Sequence, residues 1–205
     1  MVLVDKKWKK LIDSGTIRFS SAKLSLSLDP KEWAKNYEKR EDFRIGVSWH
    51  IPTQSLISTI KNYSPVVSVG CGFGYTEKLA EKEGADIILT DLSPDLENKW
   101  CHNKKMDFPV GVLKMDGKEA VKSFKDRNVF MAWPPYSTNM AYEVAKAMKV
   151  GKYLIYVGES HGGCTGDDAF FTLLNSKFEE VEDDAYIPSW DGIYDNVTVY
   201  KKIKR

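Results

Sequence analysis

The chain has 205 residues, 42% hydrophobic and 29% charged, enough to bury the core of one domain and too few for two comfortable ones. Its 30 Lys and Arg nearly balance 29 Asp and Glu, so a net charge of +1 gives no global electrostatic case for nucleic acid or an anionic membrane surface. Cys71, Cys101 and Cys164 are dispersed and form no C-x-x-C pair, which excludes a disulfide framework or zinc spacing.

The start, MVLVDKKWKKLID, is charged within five residues, and no run of about 18 apolar residues follows anywhere. The expectation is an intracellular protein, cytoplasmic or nuclear, with no membrane and no metal partner. Residues 1–53 read as an ordered N-terminal extension. It alternates weakly through Ile17, Phe19, Leu24, Leu26 and Leu28, and Asp29-Pro30 then supplies a helix cap with proline at the first helical position. That helix should run to about Asp42, and a second one, Gln54 to Asn62, follows Pro52. The remaining residues, 54–205, read as one α/β domain.

Within it, short Val- and Ile-rich runs alternate with stretches of helical spacing. The runs at Pro65 to Val69, Asp86 to Leu89, Val110 to Leu113, Asn128 to Ala132 and Tyr153 to Val157 suit strands covered on both faces. Between them, Thr76 to Glu83, Lys118 to Phe124, Met140 to Met148 and, after Asp167-Asp168, Ala169 to Leu174 are predicted helices. This order implies right-handed crossovers and a doubly wound sheet. Phe178 to Ile187 and Asn196 to Ile203 alternate apolar and polar residues, as edge strands or a terminal hairpin would.

The first strand runs into Gly70, Cys71, Gly72, Phe73 and Gly74, where glycines let backbone pass close to a ligand. The spacing G-x-G-x-G departs from the dinucleotide pattern, because Tyr75 stands where the third glycine would be, and no Gly-Lys-Ser/Thr marks a P-loop. Asp91 closes the second strand, where a carboxylate can accept two hydrogen bonds from a ribose diol. A glycine turn with such a carboxylate indicates a nucleoside-containing ligand. Taken singly, the turn is equally a tight βα connection and the aspartate a helix cap.

These residues resemble the class I S-adenosylmethionine-dependent methyltransferases, over roughly Gln54 to the C-terminus. The resemblance implies a Rossmann-like sheet of about seven strands, mostly parallel with an antiparallel C-terminal strand, and S-adenosyl-L-methionine as cofactor. It places Gly70, Gly72 and Gly74 by the methionine portion, Asp91 on the ribose, Met115 against the adenine and Asp116 on its amine. Ser68, Cys71, Tyr75, Leu92 and Trp133 complete the expected cofactor shell. Ser68 stands where that family often has an acid, so the methionine amine lacks a counter-charge there unless another carboxylate replaces it.

Trp133-Pro134-Pro135-Tyr136, at the end of the fourth strand, resembles the N/D/S-P-P-Y/F/W motif of amino-group methyltransferases. In that motif the first side chain and the following proline carbonyl accept hydrogen bonds from the target nitrogen. Indole offers no acceptor, so Trp133 puts amino-group chemistry in question and leaves a flat substrate between aromatic faces. The bland alternative is a rigid proline turn with its aromatics in the core. Glu159 and His161, in the glycine-rich loop after the fifth strand, are the acid-base candidates. Trp49-His50 and Ile187 to Asp191 either wall the pocket or pack the extension against the sheet.

Three functions stay open at this level. The first is methyl transfer to a planar base of RNA or another nucleic acid, supported by Pro-Pro-Tyr and by a basic N-terminal extension and tail (Lys6, Lys7, Lys9, Lys10, Arg18, Lys23; Lys201, Lys202, Lys204, Arg205). The second is methyl transfer to a small molecule or protein side chain. The third is a non-catalytic subunit that keeps the fold.

Overall fold

The structure is a computed structural model, which describes residues 9–10, 38–45, 47–93, 111–181, 184–190 and 192–205. The expectations for residues 11–37 and for Cys101 and Val110 lie outside those residues.

Among the described residues, five helices and seven strands follow one another through the domain: α1 (Gln54–Asn62), β1 (Val66–Val69), α2 (Tyr75–Lys82), β2 (Ile87–Asp91), β3 (Val112–Lys114), α3 (Gly117–Ser123), β4 (Asn128–Ala132), α4 (Met140–Ala147), β5 (Tyr153–Gly158), α5 (Asp168–Lys177), β6 (Phe178–Val181) and β7 (Asn196–Lys202). A further helical segment covers 38–45. The strands form one sheet in the order β3-β2-β1-β4-β5-β7-β6. β1 pairs in parallel with both β2 and β4, and β5 and β6 pair antiparallel with β7. This is the expected doubly wound, mostly parallel Rossmann-like sheet.

Side-chain alternation along the strands divides the core in two. Val67, Val69, Met131 and Tyr156 point to one face and pack with α3, α4 and α5. Val66, Phe130, Ile155 and Val157 point to the other and pack with Leu56, Ile57 and Ile60 of α1 and Ala80 of α2. Chain order leaves β1 toward β2 and β3 and then returns to β4, so strand order reverses between β1 and β4. In such sheets a crevice opens outside the carboxyl ends of the two strands at the reversal. The glycine turn follows β1 and the Trp133 segment follows β4, so both candidate segments reach the same crevice.

The two C-terminal segments pair antiparallel with each other, as the edge or terminal-hairpin reading had it: β7 lies between β5 and β6, and β6 is the edge strand. The run predicted from Phe178 to Ile187 is a strand only to Val181. The described residues 184–187 lie outside any strand and are tied instead to the start of α1. There the Thr53 hydroxyl donates to the Tyr186 carbonyl at 2.6 Å, and the Ser55 hydroxyl accepts from Tyr186 N–H at 3.1 Å. Trp190, 1% exposed, meets Phe43 of the 38–45 helix edge-on, with ring centroids 5.5 Å apart.

The inserted strand also anchors a helix end. Lys202 is 3% exposed, and its Nζ donates to the carbonyls of Ala145, Lys146 and Met148 at 3.1, 2.8 and 2.9 Å. These carbonyls lie at the C-terminus of α4, where helical backbone has no partner of its own and a cation is favoured. Lys202→Met keeps the apolar stem and strands the carbonyls. It is expected to lower stability by about 2–4 kcal/mol, read as a lower urea midpoint at unchanged m-value.

Candidate active site

The turn from β1 into α2 is built from backbone conformations that favour glycine: φ is 68° at Gly70, 55° at Gly72 and 63° at Gly74. A Cβ at Gly70 would also stand 2.8 Å from Met140 Cε of α4. The turn is held from β2, because Asp91 Oδ2 accepts Gly72 N–H at 2.9 Å while Oδ1 accepts Ser93 N–H at 2.9 Å. Asp91 is 7% exposed, and these two bonds fix its carboxylate plane. Each oxygen of a carboxylate can accept a second bond, so the group still suits a vicinal diol.

Below the turn lies a second carboxylate. Glu77, in the first turn of α2, is 4% exposed, and its Oε1 accepts the Ser68 hydroxyl at 2.7 Å. Burial pushes its carboxyl up to about 7, opposed by the Ser68 hydroxyl and its own backbone N–H and aided by the nearby Asp91 charge. Next to it on α2, the Thr76 hydroxyl is 2.8 Å from His50 Nε2. Burial lowers the His50 pKa to about 4, so this imidazole is neutral at physiological pH.

Across the crevice, Trp133 has φ 52°, a left-handed conformation that is strained for a bulky residue. Its neighbours impose that conformation. Trp133 N–H donates to the Val157 carbonyl at 2.8 Å, Gly166 N–H donates to the Pro134 carbonyl at 2.9 Å, and Pro135 bridges to Thr165. Trp49 stacks on Trp133 with centroids 5.1 Å apart and rings 20° from parallel. The Arg44 guanidinium lies 4.5 Å from the Trp49 ring centre, and that of Arg40 lies 5.3 Å from the Trp133 ring centre. Glu41 accepts from both arginines. Asp195, behind Trp133, is pushed up to about 7 by burial, against the pull of the Trp133 indole and Arg40 toward its charged form. The indole N–H acts on it as a nearby dipole, because it does not meet hydrogen-bond geometry.

One cavity of about 1110 Å³ joins these parts. Of the residues singled out in the sequence, Gly70, Cys71, Gly72, Gly74, Tyr75, Asp91, Leu92, Met115, Asp116 and Trp133 to Tyr136 line it. Asp116 also caps α3, its Oδ1 accepting from Lys118 and Glu119 N–H at 2.9 and 3.3 Å.

Three expected site residues are not brought to the cavity lining. Ser68 is 1% exposed and turned to Glu77. Glu159 is buried, its Oε2 accepting Cys164 N–H at 2.6 Å and its Oε1 accepting Tyr194 N–H at 2.9 Å, so it clamps two loops together. His161 is exposed and sits 2.9 Å from Asp168 Oδ1 on the outer side of the loop. Conversely, Glu77, Arg40 and Arg44 line the cavity without having been singled out, and Trp49 and His50 wall it as one of their two readings had it.

Among the described residues, no group of three or more His, Cys, Asp or Glu side chains is placed to hold a metal ion, and no helix is long and apolar enough to cross a membrane.

No known family profile and no curated protein matches the sequence. Solved structures do resemble the fold. The 1,6-didemethyltoxoflavin-N1-methyltransferase of Burkholderia thailandensis, solved with its substrate and S-adenosylhomocysteine, is 15% identical, with a TM-score of 0.50 over 87% of this chain and 92% of that one. The magnesium protoporphyrin IX methyltransferase of Synechocystis is 11% identical, with a TM-score of 0.49 over 86% and 89%. A methyltransferase of Archaeoglobus fulgidus is 17% identical, with a TM-score of 0.44 over 81% and 94%. At these identities the likeness concerns architecture, and with the strand order above it shows that this chain has the Rossmann-like fold of S-adenosylmethionine-dependent methyltransferases.

Proposed function

We propose that the protein is an S-adenosylmethionine-dependent methyltransferase whose acceptor is a planar base of RNA or another nucleic acid. The observation that carries the reading is the single cavity running from the glycine turn and Asp91 to Trp133–Tyr136. Its volume, about 1110 Å³, is just above the range for one drug-sized ligand and suits a nucleoside cofactor beside a second reactant.

The residues present fit the cofactor. The Gly70–Gly74 turn admits close backbone approach, and Asp91, Met115 and Asp116 line the same cavity, Asp91 bringing a carboxylate suited to a ribose diol. When bound, the cofactor supplies a methyl group already activated on its sulfonium. What remains for the chain is to orient the acceptor and exclude water, which suits a site whose prolines and stacked tryptophans are held rigid.

Tyr136 is 62% exposed at the rim and offers a face on which a base can stack. Arg40 and Arg44, which share Glu41 as counter-ion, also line the cavity. A second reading, a small-molecule or protein acceptor, is favoured by two facts: Trp49 already covers a face of Trp133, and the Pro134 carbonyl already accepts from Gly166.

Tritiated-methyl transfer from S-adenosylmethionine into fractionated cell extract tests the proposal. Label is expected in the nucleic-acid fraction. Label confined to small molecules or protein would move the assignment to the second reading. Cofactor binding with no labelled fraction would indicate a non-catalytic subunit.

A further inference from the structure

The amino-acid end of S-adenosylmethionine carries an ammonium group, and a buried ammonium needs a counter-charge. Among the described residues, four acids line the cavity: Glu77, Asp91, Asp116 and Glu143. Asp91 clamps Gly72 and Ser93, Asp116 caps α3, and Glu143 pairs with Lys118 at 2.5 Å. Glu77 differs from these three in that it neither clamps two backbone N–H groups of other residues nor pairs with a cation: its side-chain partner is the Ser68 hydroxyl, and it lies in the first turn of α2, just after the glycine turn. There the helix dipole favours negative charge.

We propose that Glu77 is the acid that holds the ammonium group of the cofactor, supplied by α2 in place of an acid on β1. The inference rests on reading the cavity as a site for S-adenosylmethionine.

Burial that pushes Glu77 up to about 7 makes this contact a proton-coupled one. Facing Glu77 are Ser68 from β1, Asp91 from β2 and, through Thr76, the neutral imidazole of His50 from the segment before α1. As the ammonium arrives, the carboxylic acid releases its proton to solvent and an N⁺–H···O⁻ contact forms. The bound state then holds fewer protons than the free state, so higher pH favours binding. Affinity should rise by up to about tenfold per pH unit below the Glu77 pKa and level off above it. Asp195 titrates in the same range, but it lies behind Trp133 and is unchanged in a Glu77 variant.

The test is calorimetry with S-adenosylhomocysteine and with methylthioadenosine, which lacks the amino-acid portion, in buffers of differing ionisation enthalpy from about pH 6 to about pH 8, spanning the raised carboxyl. Wild-type protein is expected to release close to one proton on binding S-adenosylhomocysteine at the acidic end and little at the basic end. Methylthioadenosine should release none. Glu77→Gln should weaken S-adenosylhomocysteine by at least about tenfold at the basic end, leave methylthioadenosine within about threefold, and abolish the proton release. Equal affinity of Glu77→Gln and wild type for S-adenosylhomocysteine, or no proton release by wild type, would overturn the role of Glu77 alone. Failure of wild type to bind either nucleoside would overturn the cofactor reading and this inference with it. Should Glu77→Gln fold poorly, the difference in wild-type proton release between S-adenosylhomocysteine and methylthioadenosine decides, since a group away from the amino-acid end, such as Asp195, would respond to both alike.

Discussion

Asp91→Ala is expected to weaken S-adenosylhomocysteine binding by about 100-fold, measured by calorimetry. Under the proposed reading, the loss has two sources that act in the same direction. Each charge-assisted hydrogen bond to a ribose hydroxyl contributes about 1.5–3 kcal/mol, so even the lower value for two bonds amounts to roughly a hundredfold in Kd. In addition, Gly72 and Ser93 lose the carboxylate that fixes the turn. Asp91→Asn separates the two, since its amide retains one acceptor oxygen for the backbone and offers the diol a weaker partner. Its Kd should fall between those of wild type and Asp91→Ala. Circular dichroism should show both variants folded, because Asp91 lies at the end of β2 and outside both hydrophobic clusters. Unchanged affinity in Asp91→Ala would remove the ribose assignment.

The parts of this site that were legible in the sequence are those encoded locally. Val66–Val69, Ile87–Asp91 and Asn128–Ala132 are short, branched and buried, so composition alone marks them as interior strands. The glycine turn and Asp91 sit at fixed offsets from those strand ends, which is why their meeting could be anticipated. Glu77 was hidden because an acid in the first turn of a helix also serves the helix dipole, and nothing in the sequence shows that it reaches Ser68. The stack of Arg40, Trp49 and Trp133 depends on contacts about ninety positions apart in sequence, beyond any periodicity argument.

Glu159 is the converse case. A carboxylate in a glycine-rich loop at the carboxyl end of a strand resembles a catalytic acid, yet the loop uses it for its own backbone, at Cys164 and Tyr194. Likewise, the alternating segment after Phe178 has strand-like composition, but the hydroxyls of Thr53 and Ser55 tie its Tyr186 to the start of α1 instead. The place of β7 inside the sheet is a tertiary outcome that alternation along one strand does not encode.

Tyr136→Ala is expected to reduce methyl transfer to the nucleic-acid fraction by about 10- to 100-fold in kcat/KM, in line with the ~1–3 kcal/mol that a base gains on an aromatic ring. The effect should be specific to the acceptor. Tyr136 is 62% exposed, so its removal creates no cavity and should leave the unfolding midpoint unchanged. It also lies after β4, away from the glycine turn and Asp91, so the Kd for S-adenosylhomocysteine should remain within about twofold. Tyr136→Phe keeps the ring and should retain most of the activity, which separates stacking from hydrogen bonding by the phenol. Full transfer by Tyr136→Ala would place the acceptor elsewhere on the cavity wall. A parallel loss of cofactor binding would show that the segment after β4 serves the cofactor half of the cavity instead.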